Sequence, residues 1–475
     1  MSVERKRIAA GLVAGVIAEI ANKLFPLLTL HIAASKLGVL EFGRSQFVLW
    51  LVDIAAVFVI FGYGSLAPLL WRDGPSSEER SRLLGMTMLV RTVHAGVATA
   101  ALLLICQYYV GWNEYLPLLL PSLFAIFSTA FDMVWALASM QKLTVVSVIS
   151  LVAKSLGLIL ILCFVKDNDD ALIYMIAILG ANAAVNLGSC LYVVKKIGVM
   201  LPRAADIKAL FSASLPYALC FMLLTLLDRF DVFIVESHLG NEGAGNYIGP
   251  AKIAQSFLPF VAMINGIFYS EVLAVFNKES ALNHLGISLR VVLLVVLPIV
   301  TGVWFVDADL LGLVLDEHYR QFGSVLSVLS QSILPHVFLL VFGLQVLILA
   351  KRISVFNISI AVGLCAGVAV SWYGFQPYGL LGVAFGVTFG KWVTALLTLT
   401  FAAKALRFSM FLILKQLIPV FQPAIVMAVS LLALRLSGAV FPWFIEMVIG
   451  AAVYILMMFL LFRSEMKLLL YRKPG

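Results

Sequence analysis

Apolar segments long enough to cross a lipid bilayer recur from one end of the chain to the other. A helix needs about twenty mostly apolar residues to span a bilayer core of about 30 Å. We predict fourteen such segments, at about residues 8–34, 45–70, 83–108, 115–140, 143–165, 171–194, 207–235, 244–271, 286–306, 322–350, 353–373, 378–403, 409–434 and 440–462. The polar connections are too short for a soluble domain, so the predicted fold is an all-α, polytopic membrane protein with about 14 transmembrane helices.

The composition agrees with this interpretation. Hydrophobic residues make up 62% of the chain and charged residues only 12%, whereas a soluble domain is about half apolar and roughly a quarter charged. The five cysteines all fall in apolar segments without the spacing of a metal site. The sequence therefore predicts no metal and no cofactor.

Basic residues are distributed unevenly between the two sides of the predicted membrane. The connections on one side, beginning with the N-terminal Arg5-Lys6-Arg7, carry most of the lysines and arginines that lie outside the apolar segments. Those on the other side carry Lys36, Arg44, Lys166 and Arg320. Cytoplasmic loops are enriched in Lys and Arg, so both termini are predicted to be cytoplasmic. This bias accounts for the net charge of +8 without a nucleic-acid partner.

Two predicted outer turns share a sequence pattern at a constant offset of 202 residues. The matched positions are Ser35 with Ser237, Leu37-Gly38 with Leu239-Gly240, and Gly43 with Gly245. One turn joins predicted helices 1 and 2 and the other joins 7 and 8, which indicates a six-helix unit repeated in the same orientation. We therefore predict six-helix lobes at 1–200 and 201–404 around a central cavity, with two additional helices in 405–475, an arrangement known among transporters.

Basic side chains also occur inside the apolar segments, where each costs about 2.5–3.5 kcal/mol on insertion scales. Arg91 and Arg435 lie near enough to helix ends to reach the membrane interface. Five others lie deeper, at Lys23, Lys154, Arg229, Lys252 and Lys391. Cationic side chains are effective partners for phosphate groups. We expect these five to bind an anionic substrate in the cavity.

Acidic residues at the same depth are predicted to balance this charge and to carry a coupling ion. They are Glu19, Asp53, Asp132, Asp228 and Asp231. Glu19 and Lys23 have the i, i+4 spacing of a local ion pair, which is an alternative to a role in the cavity. Asp228 and Asp231 share a helix face, whereas Arg229 points about 100° away. Part of this trio must therefore face other helices or a water-filled cavity.

Motifs of common catalytic sites are absent from the sequence. It contains no GxxxxGK[ST] phosphate loop and no HExxH motif. The histidines are scattered singly, without a Ser/His/Asp arrangement. We therefore predict that the protein is not an enzyme.

Two segments resemble polysaccharide exporters of the Wzx type. In residues 224–261 an Asp-led polar patch at Asp228 is followed by Leu239-Gly240, Gly245-x-Tyr247 and Ala251. Residues 378–397, "YGLLGVAFGVTFGKWVTALL", are similar to the twelfth helix of that group. The resemblance implies membership of the multidrug/oligosaccharidyl-lipid/polysaccharide exporter superfamily.

The resemblance also implies an activity. Members of the polysaccharide branch move undecaprenyl-diphosphate-linked oligosaccharides, such as O-antigen or exopolysaccharide repeat units, from the cytoplasmic to the periplasmic leaflet of the bacterial inner membrane. Transport is expected to occur by alternating access driven by an ion gradient. A polysaccharide polymerase and a chain-length regulator are further partners that the resemblance suggests.

Three other functions are compatible with parts of the sequence. A lipid II flippase has the same fourteen-helix plan and an anionic substrate. A multidrug or cation antiporter usually has twelve helices and an acidic cavity, so the terminal helix pair and the lysines disfavour it. A membrane scaffold of a polysaccharide-synthesis complex would not require charges at membrane depth in both lobes.

Overall fold

The computed structural model describes residues 25–72, 76–110, 112–275, 281–437 and 441–462, and its regular structure in these ranges is entirely helical. The helices are α1 (25–36), α2 (Gly38–Ile60), α3 (Tyr63–Arg72), α4 (Ser77–Ile105), α5 (Trp112–Thr129), α6 (Val134–Ser139), α7 (Leu143–Phe164), α8 (Ala171–Ile197), α9 (Ala204–Gln255), α10 (Leu258–Val275), α11 (Ala281–Val314), α12 (Gly323–Gln331), α13 (Ile333–Phe338), α14 (Ile353–Leu406), α15 (Met410–Leu436) and α16 (Trp443–Leu461). A π-helix, Leu339–Ile348, continues α13.

The two longest helices, α9 and α14, are each a helical hairpin. The backbone leaves the helical region at Gly240 (φ 64°) in α9 and at Gly379 (φ 54°) in α14. Glycine adopts positive φ without the steric cost that a Cβ atom imposes. Beyond the second of these turns the chain packs back on itself. The two arms are so close that a Cβ atom placed on Gly382 would lie 2.0 Å from the carbonyl oxygen of Gly374.

The helices are long and apolar enough to form a multi-pass membrane protein. Eleven helical segments in the described ranges have the length and hydropathy of a membrane span. Because α9 and α14 each fold back, these segments provide thirteen crossings. The remaining predicted crossing, at 8–34, lies mostly outside the described residues and stays a prediction. The all-α, polytopic fold class is confirmed.

The helix boundaries follow from local sequence. Helix α4 begins with a reciprocal capping arrangement, in which Ser76 Oγ accepts a hydrogen bond from the Glu79 amide at 3.2 Å. The Glu79 carboxylate in turn accepts one from the Ser76 amide at 2.6 Å. This pattern satisfies amide groups that have no partner within the helix.

The two turns that share a sequence pattern also share a conformation. Ser35 and Ser237 each donate a side-chain hydrogen bond to the carbonyl three residues earlier, at 3.2 and 2.9 Å. The glycines three residues after these serines, Gly38 and Gly240, have φ values of 66° and 64°. The repeated turn predicted at an offset of 202 residues is therefore confirmed.

The chain divides into two compact units, Met1–Ile248 and Gly249–Gly475. The first contains α1 to α8 and most of α9, and the second contains α10 to α16. This division does not test the lobe boundaries at residues 200 and 404, which stay predictions.

In the second unit the last two helices are bonded to each other and to α11. The Arg435 guanidinium pairs with the Glu446 carboxylate at 2.7 Å and also donates to the Phe305 carbonyl. Tyr454 Oη donates to the Leu294 carbonyl at 2.7 Å. These bonds join the C-terminal helix pair to the core of its unit.

Candidate functional site

The centre of the candidate site is an ion pair between α2 and α9 in the first unit. Arg229 Nη1 lies 3.0 Å from Asp53 Oδ2, and the two side chains are 28% and 51% exposed. Trp50 Nε1 donates a hydrogen bond of 2.7 Å to the Arg229 carbonyl. Arg229 thus faces another helix, in agreement with the prediction that part of this trio faces other helices or a water-filled cavity. Exposed charges at membrane depth generally face a water-filled cavity rather than lipid.

Near the repeated turns α2 and α9 approach so closely that only glycine fits. A Cβ atom on Gly43 would lie 1.9 Å from the Asn241 carbonyl oxygen, and one on Gly245 would lie 2.4 Å from the Val39 carbonyl oxygen. Val39 and Asn241 are themselves related by the offset of 202 residues. The contact is therefore reciprocal, because each turn supplies the glycine and the carbonyl that the other requires.

The same two helices also meet at the opposite end of α2. A Cβ atom on Gly62 would lie 2.7 Å from the Ala218 amide nitrogen. Next to it the rings of Phe61 and Phe211 are stacked, with centroids 4.9 Å apart. Helix α2 consequently contacts α9 at both of its ends and, through Asp53, near its middle.

Asp231 occupies a different environment from Asp53. Its side chain is only 1% exposed, and its carboxylate accepts a hydrogen bond of 2.8 Å from Tyr247 Oη. This bond joins the two arms of the α9 hairpin. Asp228, three residues earlier, is half-buried. The two aspartates that share a face in sequence are thus unequally accessible.

Asp132 and Arg91 form a helix junction. The chain between α5 and α6 leaves the helical path, and Asp132 Oδ1 accepts a hydrogen bond of 3.0 Å from the Val134 amide. Arg91 Nη1 donates a bond of 2.6 Å to the Asp132 carbonyl. Arg91 is fully buried, so the expectation that its side chain reaches the membrane interface is wrong. A break in a neighbouring helix offers an unpaired carbonyl that a buried guanidinium can satisfy.

The remaining predicted basic residues lie in several environments. Lys391 in the second unit is 2% exposed, with Nζ 3.5 Å from Ser332 Oγ at the α12–α13 junction. Lys154 on α7 and Lys252 at the end of α9 are half-buried. Glu19 and Lys23 lie outside the described residues. Among the described residues no three His, Cys, Asp or Glu side chains converge as metal ligands.

Solved structures of similar fold are membrane transporters. Lipid II flippase MurJ in an inward closed conformation is similar with a TM-score of 0.71 and 14% identity, over 96% of this chain and 100% of that chain. An inward-facing multidrug resistance MATE family transporter of the MOP superfamily has a TM-score of 0.65 and 14% identity, over 81% and 94%. The chain therefore has a MurJ- and MATE-like transporter fold.

The sequence comparison gives the family. Residues 8–269, more than half of the chain, match the family described as "Polysaccharide biosynthesis protein". The chain belongs to this family, which confirms the resemblance drawn from residues 224–261. It is also 22% identical over 297 residues to a candidate O-antigen transporter of Shigella dysenteriae, over 58% of this chain and 72% of that protein. The Shigella relative and the two solved structures are named as transporters or flippases.

Proposed function

We propose that this protein is a flippase for an undecaprenyl-diphosphate-linked oligosaccharide, such as an O-antigen or exopolysaccharide repeat unit. The observation that carries the proposal is the accessible guanidinium of Arg229 at membrane depth. The family membership of the chain and the Shigella relative point to a polysaccharide precursor as the cargo. A diphosphate is the charged part of such a cargo, and a planar guanidinium matches phosphate oxygens with paired hydrogen bonds.

The residues have distinct proposed roles. Arg229 binds the diphosphate, because its guanidinium is partly exposed and is held between two helices by Asp53. Lys23, Lys154 and Lys252 contact the diphosphate or acidic sugars during the transport cycle. Lys391, which is 2% exposed, contacts them only if the α14 hairpin rearranges. Asp53 and Asp228 balance this charge and carry the coupling ion. Glu19, Asp132 and Asp231 complete the acidic set, with Asp132 and Asp231 acting from their hydrogen-bonded positions.

The transport cycle alternates access between the two leaflets of the bacterial inner membrane. Both termini face the cytoplasm, as the distribution of basic residues indicates. An ion gradient drives the return of the protein from the outward-facing to the inward-facing state. A polysaccharide polymerase and a chain-length regulator receive the product at the periplasmic face.

The experiment that tests this function is translocation in proteoliposomes. A polyprenyl-diphosphate oligosaccharide is placed in the inner leaflet, and an impermeant glycosidase outside reports its arrival in the outer leaflet. We expect movement that depends on the protein and increases with an imposed pH gradient. Glu41→Gln is the matched control, because Glu41 pairs at 2.7 Å with Arg44 of its own helix.

Parallel vesicles distinguish the other functions. Movement of lipid II but not of the oligosaccharide lipid would replace the proposed substrate with a peptidoglycan precursor. Uptake of an organic cation without lipid movement would favour the drug-antiporter function. No transport of any of these substrates by a folded protein would favour the scaffold.

A further inference from the structure

The contacts between α2 and α9 suggest how binding of the cargo controls the separation of these two helices. The ion pair of Asp53 with Arg229, here called the central pair, lies between two glycine contacts. At 1.5 Å per helical residue, Asp53 is about 15 Å along α2 from Gly43 and about 11 Å from Ile60, the last residue of the helix before Gly62. A change at the central pair is therefore close enough to affect either end of the α2–α9 packing.

The three contacts between α2 and α9, at Gly43, at the central pair and at Gly62, differ in chemistry. At the two glycine contacts backbone atoms approach closely, and such van der Waals packing gains only small energies per atom pair. The central pair is ionic. An ion pair responds to a competing charge, whereas packing of backbone against backbone does not. Of these three contacts, only the central pair can therefore sense an anion directly.

The central pair is also accessible to a competitor. Half of the Asp53 side chain and more than a quarter of the Arg229 side chain are exposed. A guanidinium has five N–H donors, of which the Asp53 contact uses one or two. A diphosphate can bind the free donors first and then displace the carboxylate, since it offers more charged oxygens in a geometry that suits Arg.

We propose that the central pair is a latch that a diphosphate group releases. When phosphate oxygens bind Arg229, Asp53 loses its counter-ion and is left beside a group of the same charge. Like charges at short range repel one another, so α2 is pushed away from α9. The contact of Gly43 with Gly245, at the predicted outer end, then separates. This mechanism rests on the proposed function, because the diphosphate is the charged group of that cargo.

Distances between the repeated turns report the state of the latch. Ser35 and Ser237 are exposed equivalents on the two turns, so Ser35→Cys and Ser237→Cys can carry spin labels in a chain whose five native cysteines have been replaced. Pulsed electron paramagnetic resonance then measures the distribution of distances between the two spin labels. The probes are inorganic diphosphate and farnesyl diphosphate, with farnesol as the uncharged control.

We expect Asp53→Asn to lengthen the distance between the labels by more than about 2 Å without any ligand, the scale of a genuine rearrangement. In the protein without Asp53→Asn, both diphosphates lengthen the distance between the labels and farnesol does not. A response to farnesyl diphosphate alone would assign the release to the lipid-linked form. Arg229→Gln does not respond further to either diphosphate, and Glu41→Gln behaves as the wild type.

Unchanged distances in folded Asp53→Asn would overturn the latch, as would a wild type that ignores both diphosphates. If Asp53→Asn does not fold, the ligand response of the wild type decides alone. Failure of the proposed function is recognised separately in the translocation assay. A protein that moves the glycolipid without a diphosphate response keeps its function and loses the latch. One that responds to diphosphate but moves no glycolipid keeps the latch and loses the proposed cargo.

Discussion

Arg229 and Lys391 are both basic residues at membrane depth, yet they occupy contrasting surroundings. Arg229 is 28% exposed and paired with a carboxylate on a neighbouring helix. Lys391 is 2% exposed, and its Nζ lies 3.5 Å from the Ser332 hydroxyl. The comparison shows that depth in the membrane does not determine how exposed a basic side chain is.

Packing explains the contrast. Around Lys391 the two arms of the α14 hairpin are in close contact, since a Cβ atom on Gly363 would lie 1.8 Å from Thr394 Oγ1. The hydroxyl groups of Thr388 and Thr394 donate hydrogen bonds to backbone carbonyls. Such a region has no room for a bulky ligand without rearrangement. Near Arg229 the two glycine contacts lie at the ends of α2, and the Asp53 side chain between them is 51% exposed.

The largest effect is expected for Arg229→Gln. If Arg229 binds the diphosphate, the change removes charge-assisted hydrogen bonds worth about 1.5–3 kcal/mol each. Transport of the oligosaccharide lipid should fall by about 100-fold, since each 1.36 kcal/mol corresponds to tenfold in rate. Arg229→Lys keeps the charge but loses the planar fork and should be intermediate. A folded Arg229→Gln protein with wild-type transport would remove Arg229 from the site.

Gly43→Ala should have the next largest effect. The added methyl group would lie 1.9 Å from the Asn241 carbonyl oxygen, which is backbone and cannot rotate away. The turns must separate, and we expect transport to fall by about tenfold, equivalent to about 1.4 kcal/mol. Gly96→Ala is the matched control, because a Cβ atom there meets nothing within 4 Å. Equal transport by both variants would show that the turns need no close contact.

A smaller effect is expected for Lys391→Met. Burying an ammonium group costs free energy that an apolar side chain of similar length does not incur. Transport should fall by less than about tenfold, equivalent to about 1.4 kcal/mol, and the thermal unfolding midpoint should not decrease. Lys404→Met, at an exposed position near the end of α14, is the control. A loss as large as that of Arg229→Gln would show that Lys391 reaches the cargo in another conformation.

The smallest change in transport is expected for Tyr247→Phe. It leaves the buried Asp231 carboxylate with one donor fewer, which should cost about 1–3 kcal/mol of stability. Thermal unfolding in detergent measures the effect. Tyr174→Phe provides the comparison, because Tyr174 bonds the neutral amide of Gln46 at 2.9 Å, and its loss should cost less. A smaller loss for Tyr247→Phe than for Tyr174→Phe would argue that Asp231 is uncharged.

Much of the fold could be predicted because bilayer thickness imposes a strict length on each helix. The same is true of the repeated turn, since Gly38 and Gly240 stand where the backbone requires positive φ. The predicted spans also separate close to both hairpin turns, 207–235 from 244–271 and 353–373 from 378–403, although the backbone leaves the helical region there at a single glycine.

The site could be predicted only in part. The sequence indicates which residues are charged at depth, and the helical offset indicates that Arg229 faces away from Asp228. Its partner, Asp53, is 176 residues away and is identified only by the fold. The burial of Arg91 depends on a break in a different helix, for which Asp132 gives little signal in isolation. Trp50 was not predicted as part of the site, because a tryptophan in an apolar segment is ordinary.

The reciprocal contact of the two turns has the symmetry of a homodimer interface inside one polypeptide. In a twofold interface the same patch is used on both partners, so that residue i meets j while j meets i. Val39 with Gly245 and Asn241 with Gly43 obey this rule. Such self-complementarity is what duplication and fusion of a gene for a dimeric ancestor would leave behind. It also couples the two halves in evolution, because a bulkier residue in one turn must be accommodated by its copy in the other.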